Sequence, residues 1–172
     1  MKVLIVYESM FGNTEKVARA VADGLAEHAE VLVTEVSRAP AVPEEDVALL
    51  VVGAPTHAFS MPRASTRADA QRQGAVAVHS DEGVREWIDR MPFSAHRPWV
   101  ATFDTRVTKV RRLPGSAARK AMRNLLGLGY RSDSTPESFY VEDTPGPLAE
   151  GELERAHAWG KRLASTLLHH PV

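Results

Sequence analysis

The chain predicts an α/β fold, with a parallel sheet covered by helices on both faces. Three observations carry that expectation. Strand and helix signals alternate from end to end. The third strand signal is almost continuously apolar, as in a strand buried on both faces. The first strand runs through a hydroxyl- and glycine-rich turn directly into a helix, a geometry that exposes helix-start amides to an anion.

Taken in order, Lys2-Val3-Leu4-Ile5-Val6-Tyr7 is a strand with β-branched residues at Val3, Ile5 and Val6. Glu8 to Thr14 is the turn, and from Glu15 the pattern becomes helical, with Val17, Val21 and Leu25 four residues apart. Val31 to Val36 is a second strand, followed by a loop carrying Pro40 and Pro43. Val47 to Gly53 is the third, and residues 54 to 80 read as irregular, broken by Pro55 and Pro62. Asp81 is a helix cap for a segment to about Arg90, with Val84, Trp87 and Ile88 on one face. Trp99 to Phe103 is a fourth strand. Ser116 to Leu128 is helical, with Ala117, Ala121, Leu125 and Leu128 inward, and Gly127 and Gly129 mark its end. Ser138 to Val141 is a short fifth strand. Glu150 to Leu168 is a terminal helix with Leu153, Ala156, Trp159, Leu163 and Leu167 at helical spacing.

Length and composition bound the function. At 172 residues the chain reads as one domain with a sizeable core. Its net charge of −1 points to neither nucleic acid nor membrane. The absence of cysteine excludes disulfides, thiol catalysis and cysteine-ligated metal centres. No apolar run approaches the roughly 20 residues of a membrane span, and the N-terminus has no signal-peptide pattern, so the expected location is cytoplasmic. His169 and His170 stand together near the C-terminus, where a frayed end explains them better than a metal site; no metal ligand is expected.

The turn after the first strand is neither a Walker loop nor a G-x-G-x-x-G dinucleotide fingerprint. Ser9, Asn13 and Thr14 supply neutral donors, and the nearby cation is Lys16. That donor set suits a monophosphate held by directed hydrogen bonds. The stretch Tyr7-Glu8-Ser9-Met10-Phe11-Gly12-Asn13-Thr14-Glu15 resembles the FMN-phosphate loop of flavodoxins, with one departure: Phe11 stands where the family usually has a third hydroxyl.

The resemblance implies a single flavodoxin-like domain over residues 1–172, a three-layer α/β/α sandwich whose five-stranded parallel sheet has the order 2-1-3-4-5. It implies FMN as a non-covalent cofactor, electron transfer between redox partners, and no catalytic side chain. The cofactor-binding residues it implies are Ser9, Met10, Phe11, Gly12, Asn13 and Thr14 in the first loop, Pro55, Thr56, His57, Ala58 and Phe59 in the second, and Phe103, Asp104, Thr105 and Arg106 in the third. In the second loop, Gly53 at the strand end lets a flat ring approach the backbone; Phe59 is the candidate to stack on the flavin, and His57 to bond its polar edge or lie beside it. Loop bracing is the competing role for both. In the third loop, a tyrosine often covers the outer ring face in the family. No tyrosine lies between Tyr7 and Tyr130, so the flavin is less covered, or Val107 or a partner fills that face.

Two features stay open at this level. From Arg106 to Arg131 every charged residue is basic: Arg106, Lys109, Arg111, Arg112, Arg119, Lys120, Arg123 and Arg131. This charge either attracts an anionic substrate or acidic partner and favours a negative flavin, or it is a solvated face answered by Glu137, Glu142 and Asp143. Residues 63 to 80 are an extra segment, a lid or a dimer contact. The functional alternatives to a redox carrier are a flavin-dependent NAD(P)H or quinone reductase on the same fold, and a module that has lost its cofactor.

Overall fold

The computed structural model describes residues 1–75 and 81–169; Val76 to Ser80, at the end of the extra segment, and His170 of the histidine pair lie outside the described residues. The strands are β1 (Lys2–Tyr7), β2 (Glu30–Glu35), β3 (Val47–Pro55), β4 (Trp99–Val107) and β5 (Glu137–Val141). Every pairing is parallel and the order is β2-β1-β3-β4-β5. The predicted sheet is therefore present.

The helices are α1 (Asn13–Leu25), α2 (Ala64–Arg72), α3 (Val84–Asp89), α4 (Ala117–Gly127) and α5 (Glu152–Leu168). On one face of the sheet, Val3, Ile5, Leu49, Val51 and Phe103 pack against Val17, Val21 and Leu25 of α1 and Trp159 and Leu163 of α5. On the other, Leu4, Val6, Leu50 and Val52 meet Trp87 and Ile88 of α3 and Ala121 and Leu125 of α4. Alternation along each strand feeds the two cores, which is why β1 and β3 read as unbroken apolar runs.

Three expectations need correction. Residues 54 to 80 are not irregular throughout, because β3 continues to Pro55 and α2 occupies Ala64–Arg72. The fourth strand does not stop at Phe103 but runs to Val107, so the segment read as the third loop is strand and the chain leaves the sheet through a 3-10 turn at Thr108–Val110. Helix α3 is capped by Gly83 rather than Asp81. Leu128, read as inward, is substantially exposed because α4 ends before it, and Leu153 of the helically spaced set on α5 is exposed as well. Ser116, by contrast, caps α4 with its hydroxyl accepting from the Arg119 N–H at 3.2 Å.

Candidate functional site

The carboxyl ends of β1, β3 and β4 open into one cleft lined by Ser9, Met10, Phe11, Asn13, Thr14, Pro55, Thr56, His57, Thr105, Arg106, Val107, Val141 and Thr144. It is a shallow cleft holding about 60 Å³. The location follows from topology: β1 and β3 are neighbours but their connections leave to opposite sides, which makes the crevice between them the switch point.

The first loop is pinned from below. Glu8 N donates to Gly53 O at 3.0 Å. Ser9 Oγ accepts from Glu15 N at 3.3 Å, Thr14 Oγ1 lies 2.8 Å from Thr105 Oγ1, and Asn13 Nδ2 donates to Pro145 O at 3.2 Å. Gly12 caps α1 at φ 91° without a side-chain cap, and a Cβ there would meet open space. The amides of Asn13 and Thr14 have no intrahelical acceptor by position, and the helix dipole adds positive potential beside them. Phe11 turns onto the small cluster of Met10, Ala70 and Ala75. Its apolar ring thus covers the inserted helix α2.

The second loop is a tight turn. His57 and Ser60 exchange both backbone hydrogen bonds, at 2.9 and 3.0 Å, around Ala58 (φ 46°) and Phe59 (φ 64°). Both central residues are left-handed, as a type I′ turn requires, and both carry a Cβ that disfavours it. Such strain persists where surroundings over-determine it. Here Arg85 donates to Ser60 Oγ (3.0 Å), Met61 O (2.8 Å) and Pro62 O (3.3 Å). His57 Nδ1 lies 3.0 Å from Thr66 Oγ1, whose hydroxyl donates to Arg63 O at 3.1 Å. That pattern assigns the ring hydrogen to Nδ1 and leaves Nε2 an acceptor. Burial, helped by the Arg67 charge, lowers the His57 pKa to about 4, so the ring lining the cleft is neutral at pH 7.

Beneath this turn lies a charge cluster that the sequence did not announce. Arg67 is fully buried, with Nε 2.9 Å from Glu8 Oε2 and Nη1 2.7 Å from Glu86 Oε1; Nη2 also donates to Pro62 O at 3.2 Å. Glu8 Oε1 accepts from Val84 N at 2.9 Å. A Cβ on Gly83 would stand 2.0 Å from Arg67 Nη2, so only glycine fits. Burial raises the Glu8 pKa against the pull of Arg67, whereas the more exposed Glu86 is lowered because its desolvation, the largest single influence, is outweighed by its hydrogen bonds and the Arg67 and Arg85 charges together. Arg67 therefore ties the end of β1, the second loop and α3 together.

At the third segment the predicted residues separate. Thr105 and Arg106 face the cleft. Arg106 is 7 % exposed; Nη2 donates to Val110 O (2.8 Å) and Leu113 O (3.1 Å), and its buried Nε has no partner among the described residues. Phe103 is in the core instead, edge-on to Phe139 and Trp159 at centroid distances of 6.1 and 6.0 Å. The ring that uses the space over Gly53 is this one: a Cβ on Gly53 would lie 2.1 Å from Phe103 Cζ. Asp104 is buried on the opposite face, where Oδ2 accepts from Ala118 N at 3.0 Å; burial raises its pKa against that bond. Ala58 and Phe59 stand at the lip rather than in the lining, and Phe59 is 48 % exposed. Val141, the last residue of β5, and Thr144 just beyond it complete the cleft and were not among the expected residues; their signal was position at the same sheet edge. Val107 also lines the cleft.

Fold and cleft together define a flavodoxin-like α/β protein. The flavodoxin family model matches residues 5–80, the span that holds the first loop and the second, so the resemblance read from the first loop stands. Solved structures agree along the whole chain: a short-chain flavodoxin associated with a non-canonical PDU bacterial microcompartment (TM-score 0.70, 18% identity, covering 97% of this chain and 99% of that one), oxidised flavodoxin 2 from Bacillus cereus (0.68, 19%, 96% and 99%), and a flavodoxin from the domain Archaea (0.66, 17%, 98% and 100%). At such identities these likenesses show the fold. None of the curated proteins matches the chain in sequence. No helix among the described residues is long and apolar enough to cross a membrane.

Proposed function

We propose that this chain is a cytoplasmic, single-domain, FMN-binding electron carrier that takes electrons from one redox partner and gives them to another. The observation that carries the reading is the cleft itself, in which the flavodoxin-matched first loop meets the ends of β3 and β4. Its donors fit FMN. The hydroxyls of Ser9 and Thr14, the amides at the start of α1 and the open space at Gly12 suit the phosphate. The orphaned Nε–H of Arg106, costly while unpaired, suits a carbonyl acceptor of the ring.

When bound, FMN supplies the electron-accepting ring, and the protein's part is to hold and tune it. Ser9, Asn13 and Thr14 orient the phosphate without a full countercharge. Neutral His57 offers Nε2 as an acceptor and adds no positive charge. Arg106 is the cation that faces the ring, and its position favours added negative charge there. Val107 and Val141, which line the cleft, would keep water from a bound ring.

Absorbance of the purified protein after incubation with FMN tests the proposal. The expected result is a bound-flavin spectrum retained through desalting; a colourless protein after excess FMN would sink it. Ser9→Ala with Thr14→Val is expected to weaken FMN binding by about 1–3 kcal/mol in total while leaving riboflavin binding nearly unchanged. Reduction by NADPH alone, without an added reductase, would count against a pure carrier.

A further inference from the structure

We infer that the lip formed by residues 108–115 is a docking face for an acidic protein partner, one that brings an apolar side chain to Leu113. As a statement about what the carrier meets, it rests on the reading above. The contact itself needs no cofactor, so the two can fail separately.

The first observation is unanswered charge. Lys109, Arg111 and Arg112 are exposed, and no carboxylate among the described residues lies within 4.0 Å of them. Of the exposed cations elsewhere, Arg19, Arg72, Arg90 and Lys161 have a carboxylate partner, while Lys16, Arg38, Arg63 and Arg162 have none within 4.0 Å among the described residues; what sets the lip apart is three such cations within four residues. The acids that could have answered this lip are engaged or apart: Glu137 pairs with Arg155, and Glu142 and Asp143 are exposed with no cation of the 106–131 stretch against them. The charge continues onto α4, where Arg119 and Arg123 are both exposed at i and i+4, a like-charge spacing that weakens the helix bearing it.

The second observation is that the lip is held. Arg106 donates to Val110 O and Leu113 O from inside. Thr108 Oγ1 donates to Val141 O at 3.0 Å, and Leu113 N donates to Val110 O at 3.0 Å. Side chains on such a loop lose little backbone freedom on binding. The third is apolar: Leu113 is 47 % exposed among the cations, and Gly115 packs so closely against Phe59 that a Cβ would lie 2.7 Å from Phe59 O. An exposed apolar side chain directly following two exposed arginines has the composition of a protein interface.

The partner's chemistry follows by complementarity. A basic lip recruits acidic groups and speeds encounter at low salt. A nucleic acid fits less well, because a sugar-phosphate backbone has no apolar group to set against Leu113, whereas a protein with a local acidic patch can bring one.

The test uses the full chain and fluorescence anisotropy with three labelled probes: a peptide of Glu and Asp with a central Phe, an all-Glu peptide of equal length, and a single-stranded oligodeoxynucleotide of equal charge. Saturable binding of the Phe-bearing peptide, weakening as salt rises, is expected. Arg111→Glu with Arg112→Glu is expected to lower that affinity about tenfold, Leu113→Ser about threefold for this peptide alone, and Arg72→Glu on α2 not at all. Absence of saturable binding, an equal effect of Arg72→Glu, or tighter binding of the oligonucleotide that ignores Leu113→Ser would each overturn the inference. FMN uptake is read on the same samples. Uptake without peptide binding overturns this inference alone, and peptide binding without uptake overturns the carrier reading alone.

Discussion

The two lips of the cleft carry cations in opposite ways. On the side of residues 57–67, Arg67 is fully buried and held by two carboxylates, and Arg85 spends its donors on Ser60, Met61 and Pro62. On the side of residues 108–115, Lys109, Arg111 and Arg112 stand in water with no acid against them. A buried guanidinium needs its partners, so it fixes the shape of whatever supplies them. An exposed one is free to act on something outside. The first lip shapes the site and the second addresses what approaches it.

The largest effect should come from breaking the buried side. Arg67→Met leaves the Glu8 carboxylate desolvated and unpaired, and is expected to cost about 3–5 kcal/mol in urea unfolding; a loss below about 1 kcal/mol would mean the cluster is not desolvated. Glu86→Gln is expected to cost less, because its carboxylate is partly in water.

Acid probes the same lip. The His57 pKa falls from 6.5 unfolded to about 4 folded, so the unfolded state takes up this proton first. Stability linked to His57 is complete above pH 6.5 and is lost as pH falls toward about 4. Allowing for partial exposure, the loss is about 2–3 kcal/mol. Between pH 7.5 and 4.5 the urea midpoint of the parent should fall further than that of His57→Gln. The raised Glu8 pKa acts in the opposite sense in both proteins and cancels in the difference.

A third change probes the floor between the lips. Gly53→Ala forces a methyl onto the Phe103 ring, with an expected cost of about 1–3 kcal/mol; no cost would place that ring elsewhere. The smallest effect belongs to the exposed lip. Arg111→Ala with Arg112→Ala should leave the unfolding midpoint within about 0.5 kcal/mol of the parent, which separates a surface that addresses partners from one that supports the fold.

What the sequence made legible was what local pattern determines. The apolar runs of β1 and β3, the helical spacing of Val17, Val21 and Leu25 and the helical stretch beginning at Ser116 need no distant partner to be recognised. What stayed hidden depends on contacts remote in sequence. Helix α2 is polar along its length, and its hold on the sheet is Arg67 reaching Glu8, 59 residues away. The outer half of β4 looked like a loop because Asp104 and Arg106 are charged; in the fold Asp104 Oδ2 accepts from the start of α4 and Arg106 Nη2 donates to Val110 and Leu113. Phe103 was expected at the cofactor, yet period-2 alternation from Ala101 turns it toward α1 and α5. That the site gathers chain segments after β1 and β3 and at the end of β4 was legible, and the contribution from Val141 and Thr144 was not, because β5 is not adjacent to the switch point.

The measurement that bears most directly on the account is a paired titration of the apoprotein with FMN and with riboflavin, followed by quenching of flavin fluorescence. The two ligands share the ring and differ in the phosphate, so their ratio isolates the first loop. The account predicts clearly tighter binding of FMN, and a ratio that shrinks in Ser9→Ala with Thr14→Val. Equal affinities, or no binding of either, would contradict it.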